Sequence, residues 1–202
     1  MSVNSPSQET LNSYELSAQK FAENAVIVPE ASAWLSSVVR DLKFDASILD
    51  IGSGAGNDAE ALRKLGYTVQ CSDAARSFLP ILEAKGFAPI HFNILSDDLM
   101  TRFDVVIANA VLHHFDDDEF EYALRKIRTL LIPEGRFGFA LKAGEGCEWS
   151  SHKLGINRYY RYRNKAVVDA ALQKAGYCRC DVREVITKRQ HPLWLFAVAH
   201  NV

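Results

Sequence analysis

Two kinds of hydrophobic pattern alternate along the chain. Short runs such as SILDI and FDVVIANAVL are mostly apolar and predict buried strands, whereas longer stretches place an apolar residue every three or four positions and predict amphipathic helices. Two helical stretches, residues 11–25 and 31–38, come first, and Pro29 suits the start of the second. The chain therefore begins with two helices before its first strand.

From Ser47 onward strand and helix alternate four times, which predicts parallel strands joined by helical crossovers. Two further runs, CRCDVREVI and LWLFAVAH, close the chain with no helix between them, so they should pair antiparallel. We predict an α/β fold with a doubly wound, seven-stranded, mostly parallel sheet and an antiparallel final strand. Residues 1–45 should form N-terminal cap helices, and residues 46–202 the sheet core of the same single domain.

Turn and capping residues predict where several elements begin and end. Asn57 should be the N-cap of the helix after the first strand, with Glu60 three residues further on. The Pro133-Glu134-Gly135 run should end the helix that follows the fourth strand. A long polar loop, from about residue 143 to 164, should connect the fifth strand with the last helix.

The 202-residue chain is 48% hydrophobic and has a formal net charge of -2, which gives no general attraction to nucleic acid or an anionic membrane. A local basic patch would be needed for either partner. The N-terminus MSVNSPSQET lacks the features of a signal peptide, and no window approaches the roughly 20 apolar residues of a membrane span. We expect a soluble cytoplasmic protein, monomeric or homodimeric. Cys178-Arg179-Cys180 has no second ligand pair, which predicts buried free thiols and no metal site.

Three glycines follow the first strand at alternate positions, in ILDIGSGAGND. Gly52, Gly54 and Gly56 can turn at positive φ and let a ligand approach the backbone, in a loop that normally belongs to the ligand site of such sheets. Gly56 stands one residue too early for a dinucleotide fingerprint, and no Gly-Lys-Ser/Thr phosphate loop follows. Asp73 ends the second strand about 20 residues on, where a carboxylate can accept hydrogen bonds from ribose hydroxyls. The alternatives are a structural turn and an N-capping aspartate.

ILDIGSGAG, Asp73, FDVVIANAVLHH and PEGRFGFALK together resemble the class I S-adenosylmethionine-dependent methyltransferases, from about Ser13 to Val202. The segment SYELSAQKFAENA is similar to the cap helix of members that act on small molecules, of methyltransferase type 11 or 12. The resemblance implies a Rossmann-like methyltransferase fold with S-adenosylmethionine as cofactor. It also implies nine cofactor-binding residues: Tyr14, Asp50, Gly52, Gly54, Gly56, Asp73, Asn93, Ile94 and Asn109.

The family assigns these residues to different parts of the cofactor. By resemblance, Asp50 and the three glycines hold the methionine part, and Asp73 binds the ribose. Asn93 replaces the usual aspartate, but its amide can still serve the adenine N6 amine, with Ile94 packing on the ring. Asn109 ends the fourth strand, where a backbone carbonyl commonly holds the cofactor's ammonium group. Tyr14 closes over the carboxylate or is an ordinary buried helix tyrosine.

The acceptor site is predicted beside the fourth strand and in the loop KAGEGCEWSSHKLGINRYYRYRNK. Methyl transfer depends mainly on positioning, so no catalytic residue is assigned, although either adjacent histidine is a candidate base. Gly144 and Gly146 suit the hinges of a lid, arginines suit an anionic group, and tyrosines suit stacking. At least one of Arg158, Arg161 and Arg163 should point inward. The predicted substrate-binding residues are His113, His114, Arg158, Tyr159 and Arg161. Packing histidines and a solvated charged loop are the competing interpretations.

A methyltransferase acting on a small molecule is the leading hypothesis. Asn57 and the short G-x-G-x-G disfavour a nicotinamide dehydrogenase. The Asn/Asp-Pro-Pro-Tyr/Phe motif of amino-methylating nucleic-acid enzymes is missing, as is a Pro-Cys nucleophile of the cytosine-C5 type, but the arginine-tyrosine loop keeps RNA open as an acceptor. A cofactor-binding scaffold without turnover is a further alternative. The sequence does not identify the acceptor.

Overall fold

The computed structural model describes residues 5–25, 29–188 and 192–201. The strands are β1 (Ile48–Ile51), β2 (Val69–Asp73), β3 (Ile90–His91), β4 (Phe103–Asn109), β5 (Leu131–Lys142), β6 (Cys147–Ser150), β7 (Arg158–Arg161), β8 (Cys178–Ile186) and β9 (Leu193–His200). The helices are α1 (Pro6–Glu23), α2 (Pro29–Val38), α3 (Asn57–Lys64), α4 (Leu79–Ala84), α5 (Asp117–Thr129) and α6 (Lys165–Lys174). Short 3-10 turns cover Arg76–Phe78 and Leu112–His114.

Seven strands form one sheet in the order β3-β2-β1-β4-β5-β9-β8, and β6 and β7 form a separate two-stranded hairpin. β1 pairs in parallel with β2 and β4, and β4 pairs in parallel with β5. β9 runs antiparallel between β5 and β8. The predicted doubly wound, mostly parallel sheet with an antiparallel final strand is confirmed. Because the strand order reverses beside β1, the carboxyl ends of β1 and β4 form a topological switch point.

Helices cover both faces of the sheet. On one face α2 and α3 bury Trp34 and Leu62, and on the other α5 and α6 bury Leu124 and Leu172. All four residues of β1 are buried, as expected for a parallel strand between two helical layers. The Trp34 indole N–H donates to the Ala197 carbonyl at 3.1 Å and ties α2 to β9.

α1 joins neither layer and lies over the carboxyl edge of the sheet, in contact with both 3-10 turns and with β7. On one side the Glu15 carboxylate accepts hydrogen bonds from two backbone N–H groups of the Arg76–Phe78 turn, at 2.7 and 2.9 Å. On the other side Thr10 Oγ1 accepts from the Tyr159 backbone N–H at 2.9 Å. α1 is therefore attached at both sides of this edge.

α3 begins at Asn57 as predicted, but one predicted cap and one predicted helix end were wrong. Asn57 is not an N-cap, because Gly56 caps α3 at φ 80° and its left-handed backbone turns the chain into the helix without a side-chain cap. The Pro133-Glu134-Gly135 run does not end α5, which stops at Thr129. It lies within β5 instead, where Glu134 has φ 63° and the pairing with β4 shifts register.

The predicted long polar loop contains the β6–β7 hairpin. Its second strand has the sequence RYYR, and three of these four residues are buried. Aromatic residues favour strands, but the charges around them make the segment resemble a solvated loop. Burial of this strand against α1 depends on a distant element that local patterning does not reveal.

Cys178 and Cys180 are free thiols, as predicted, but they are half-buried rather than buried. Arg179 between them adopts φ 46°, and the pairing of β8 with β9 shifts register before Asp181. Both cysteines alternate with the exposed residues Arg179 and Asp181 along β8. Within the described part of the chain, no helix combines the length and apolar character needed to cross a membrane.

Candidate functional site

A cavity of about 1130 Å³ opens at the carboxyl edge of the sheet, beneath α1. The glycine loop and the exits of β2 and β4 line one half, and the end of β5 and strand β7 line the other. The predicted site residues that line it are Tyr14, Gly52, Gly54, Asp73, Asn93, Ile94, Asn109, His113, His114 and Arg158. Asp50, Gly56, Tyr159 and Arg161 are not among the lining residues. The structure thus brings residues from both predicted sites into one cavity.

Asp73 holds the glycine loop in place. Its Oδ2 accepts a hydrogen bond from the Gly54 N–H at 2.8 Å, and its Oδ1 accepts from the Ala75 N–H at 2.9 Å. Burial raises the pKa of Asp73 to about 6 despite these bonds. Gly52 and Gly54 have φ values of 69° and 51°, which a side chain at either position would strain. The loop and the carboxylate form one wall of the cavity.

At the switch point lie buried acceptor atoms that receive no hydrogen bond from the described residues. Among the described residues, Asp50 Oδ2 and Asn109 Oδ1 are buried with no hydrogen-bond partner. Asn109 Nδ2 donates to Asp58 Oδ2 at 2.7 Å. Burial, and then the charge of Asp58, raise the pKa of Asp50 well above its usual value. Such acceptor atoms favour a ligand that brings N–H groups or positive charge. We call this region, with Asp73, the acidic half of the cavity.

Two other predicted cofactor residues have clear structural roles. A Cβ atom on Gly56 would meet Leu82 Cδ2 at 2.9 Å, so this glycine permits close packing of α4 behind the loop. Asn93 Oδ1 accepts from the Leu95 N–H at 3.0 Å and stabilises the turn after β3. That turn places the buried Ile94 on the cavity wall.

A hydrogen-bonded chain of three side chains crosses the other half of the cavity. His114 Nδ1 lies 2.6 Å from the Tyr159 carbonyl, which can only accept, so this nitrogen carries the proton. His114 Nε2 then accepts from Tyr14 Oη at 3.0 Å, and Arg158 Nη1 donates to the same hydroxyl at 3.1 Å. Burial lowers the pKa of His114 to about 3. With both nitrogens engaged and the ring neutral, His114 is suited to positioning Tyr14 rather than to accepting a proton.

Positive charge gathers around Tyr160 in this half. Lys142 Nζ lies 3.5 Å from the Tyr160 ring centroid, and Arg158 Cζ lies 5.4 Å from it. Burial lowers the pKa of Lys142 to about 8. Burial, and then neighbouring charges that include Lys142 and Arg158, lower the pKa of His113 well below its usual value. We call this region the basic half of the cavity.

The remaining residues of the arginine-tyrosine segment face elsewhere. Tyr159 packs its ring on Trp149, at 5.5 Å between centroids. Arg161 pairs with Asp117 and lines a second cavity of about 650 Å³. Arg163 is buried and also pairs with Asp117, at 3.0 Å. Among the three arginines of this segment, Arg158 is the one that lines the larger cavity.

The sequence analysis missed several lining residues. Asp58 directly follows the glycine loop, and Lys142 is the charged residue that ends an apolar strand, as Asp73 does. Lys142 was therefore predictable in the same way as Asp73, from its position at the end of a strand. Trp194 gives no such signal, because it reaches the cavity only through the pairing of β9 with β5.

A parallel sheet with one antiparallel strand, a glycine loop held by the acidic end of β2 and a cavity at the switch point define the class I methyltransferase architecture. A family model described as a methyltransferase domain matches residues 49–139. An uncharacterized methyltransferase of Bacillus cereus is 29% identical over 118 residues, which is 55% of each chain. The chain thus spans about half the length of the curated relatives it matches.

Solved structures share the whole fold at low sequence identity. The 1,6-didemethyltoxoflavin-N1-methyltransferase of Burkholderia thailandensis, with bound 1,6-didemethyltoxoflavin and S-adenosylhomocysteine, has a TM-score of 0.74 at 22% identity, over 100% of this chain and 92% of that one. A DhpI-SAM-HEP complex has a TM-score of 0.77 at 19% identity, over 98% and 99%. Residues 49–139 of the chain thus match a methyltransferase domain, and the chain as a whole has the fold of the S-adenosylmethionine-dependent methyltransferases.

Proposed function

We propose that the protein binds S-adenosylmethionine in the acidic half of the cavity and transfers a methyl group to a small-molecule acceptor in the basic half. The observation that carries this proposal is the glycine loop bonded to Asp73 beside two buried, unpartnered acceptor atoms. At about 1130 Å³ the cavity exceeds the roughly 300–1,000 Å³ of an ordinary single-ligand pocket, which supports two ligands side by side.

The residues of the acidic half fit the parts of this cofactor. Asp73 retains acceptor capacity on both oxygens after its two backbone bonds, and it would bind the ribose hydroxyls. Asn109 lines the cavity, and its Oδ1, which has no partner among the described residues, suits the cofactor's ammonium group, while Ile94 offers an apolar surface to the adenine ring. When bound, the cofactor supplies an electrophilic methyl group on a positively charged sulfur.

The basic half would position the acceptor and exclude water. We propose that residues 143–164 are the acceptor-specific insertion, since β7 carries Arg158 and Tyr160 into the cavity wall. α1 covers the same region, and Ser13 Oγ donates to the Asn157 carbonyl at 2.6 Å. A neighbour in fold, the toxoflavin enzyme, holds a small acceptor and the demethylated cofactor together, and this cavity has room for such a pair.

Two measurements test the proposal in sequence. Isothermal calorimetry should detect binding of S-adenosylmethionine and S-adenosylhomocysteine to the purified protein. A metabolite extract incubated with the protein and S-adenosylmethionine should then contain a compound that has gained one methyl group, seen by mass spectrometry. Absence of binding at millimolar concentration would contradict the proposal. Binding without a methylated product would favour the scaffold alternative.

Cofactor affinity should depend on pH through Asp73. Its pKa of about 6 means that the carboxyl is largely neutral at pH 5 and largely ionised at pH 7. Because ribose hydroxyls bond more strongly to the ionised form, the Kd for S-adenosylhomocysteine should fall by about fivefold to tenfold between these pH values. Calorimetry at both pH values checks this. In Asp73→Asn the dependence should be much reduced. If the Kd of Asp73→Asn for S-adenosylhomocysteine depended on pH as strongly as that of wild type, the pH dependence would belong to another group, such as Asp50.

A further inference from the structure

We propose that the acceptor carries an anionic oxygen group, a carboxylate or a phosphoryl group, and that the guanidinium of Arg158 binds it. This inference rests on the proposed function and specifies its substrate class. It is carried by one juxtaposition. A buried arginine that pairs with no carboxylate of the described residues lies on the wall of the cavity, and a second cation lies beside it on the same aromatic ring.

Arg158 is 4% exposed, yet among the described residues it forms no ion pair with a carboxylate. Its Nε is buried with no hydrogen-bond partner. The other two arginines of the segment, Arg161 and Arg163, both pair with Asp117. Burial of an uncompensated guanidinium is costly, and proteins normally pair such a charge or present it to a ligand. Arg158 lines the cavity, so its missing partner is expected there.

The guanidinium is held in place rather than left free. Arg158 Nη1 donates to Tyr14 Oη, which in turn donates to His114 Nε2, and His114 is fixed by the Tyr159 carbonyl. These contacts engage one nitrogen of the fork. A planar fork that is oriented before binding suits the bidentate recognition of two oxygens on one group.

The surroundings favour an anion at this position. Like Arg158, Lys142 lies close to the ring of Tyr160 and lines the basic half of the cavity. Two carboxylates lie near this half, and each has its own donor. Glu119 accepts from the Asp116 N–H at the start of α5, and Glu148 accepts from the Tyr162 hydroxyl and does not line the cavity. The other lining acids are Asp58 and Asp73, which belong to the acidic half, and Glu30 in the first turn of α2.

The cofactor's own carboxylate is the rival anion. That carboxylate should bind near the glycine loop and the end of β4. Arg158 instead lies on β7, and its aromatic neighbour Tyr160 also contacts Lys142 at the end of β5. Tyr14, the residue expected to close over that carboxylate, already bonds Arg158 and His114 through its hydroxyl. Arg158 is therefore assigned to the acceptor, and the experiment below separates the two anions.

The test uses small aryl probes, because Tyr160, Trp194 and Phe115 line the same half of the cavity. Phenylphosphonate, benzoate and the neutral benzamide are titrated calorimetrically into the protein saturated with S-adenosylhomocysteine. At least one anion should bind about tenfold or more tightly than benzamide, and its identity distinguishes a phosphoryl site from a carboxylate site.

Variants on the two ends of β7 provide the matched comparison. Arg158→Gln should weaken anion binding by about tenfold or more, because the charge is lost, while the Kd for S-adenosylhomocysteine stays within about twofold of wild type. Arg161→Gln should bind the probes as wild type does. Arg158→Lys retains a charge without the fork and should recover part of the anion affinity, which also covers the case in which Arg158→Gln does not fold.

Three outcomes would overturn the inference. The first is a wild-type complex that binds no anion, or binds benzamide equally well. The second is Arg158→Gln with unchanged anion affinity. The third is Arg158→Gln with a large loss of S-adenosylhomocysteine affinity, which would assign Arg158 to the cofactor's carboxylate. A wild-type protein that does not bind S-adenosylhomocysteine would instead refute the proposed function itself.

Discussion

Gly54→Val should abolish cofactor binding, with a rise of about a hundredfold or more in the Kd for S-adenosylhomocysteine, which corresponds to roughly 3 kcal/mol. Gly54 has φ 51°, and a branched side chain is strongly disfavoured there. An added Cβ would approach Phe21 Cε1 of α1 to 3.3 Å, and the rest of the valine would occupy the cavity. The strained turn would also displace the Gly54 N–H from Asp73. Calorimetry on the folded variant gives the Kd.

Gly86→Val is the matched control for this substitution. Gly86 has φ 78°, but a Cβ there has nothing nearer than Arg63 Nη1 at 3.9 Å, and the residue does not line the cavity. This variant should lose stability in thermal unfolding and keep its affinity for S-adenosylhomocysteine. If Gly54→Val bound the cofactor product as well as Gly86→Val does, the glycine loop would not be the binding surface.

Asp73→Ala should weaken S-adenosylhomocysteine binding by about 1.5–3 kcal/mol, or roughly 10-fold to 150-fold, the range for hydrogen bonds to a charged group. The substitution removes the acceptor for the ribose and, in addition, leaves the Gly54 and Ala75 N–H groups without their partner. The glycine loop should therefore become less well fixed, and the melting temperature should fall together with the affinity.

Asp104→Ala separates these two effects. Asp104 also accepts a hydrogen bond from a backbone N–H, that of Ser47 at 2.9 Å, but it lies at the start of β4, at the opposite edge of the sheet. We expect this variant to lose stability without losing affinity for S-adenosylhomocysteine. A Kd for Asp73→Ala equal to that of wild type would mean that other residues hold the ribose.

The acidic half of the cavity was predictable because its signals are local. Glycines after an apolar run and Asp73 at the end of the next run follow from one rule about the carboxyl ends of parallel strands. The orphaned oxygens of Asp50 and Asn109 were not predictable as such. They depend on which donors the folded chain brings near, and a sequence does not show that.

The basic half was only partly predictable, because the phase of β7 decides which side chains face the cavity. Read as a loop, the run RYYR made Arg158, Tyr159 and Arg161 equivalent candidates. Read as a strand, it alternates, so Arg158 and Tyr160 share the inner face while Tyr159 and Arg161 point away. Tyr159 and Arg161, the two predicted substrate-binding residues of this strand that do not line the cavity, are the two on its outer face.

His113 and His114 show the same limit in another form. The sequence offers two adjacent histidines as candidate bases, and the structure gives them different surroundings. His114 has a carbonyl on one nitrogen and a tyrosine hydroxyl on the other, and both partners come from distant parts of the chain. Long-range partners of this kind decide whether a histidine is chemically available.

The attachment of α1 to both sides of the sheet edge has a kinetic consequence. Glu15 bonds the turn beside the acidic half, and Thr10 bonds the strand beside the basic half, so one rigid helix spans both compartments. Detaching it from one side alone would leave it fixed to the other. We therefore expect cofactor and acceptor to share a single opening event, so that the departures of the two products are coupled to each other.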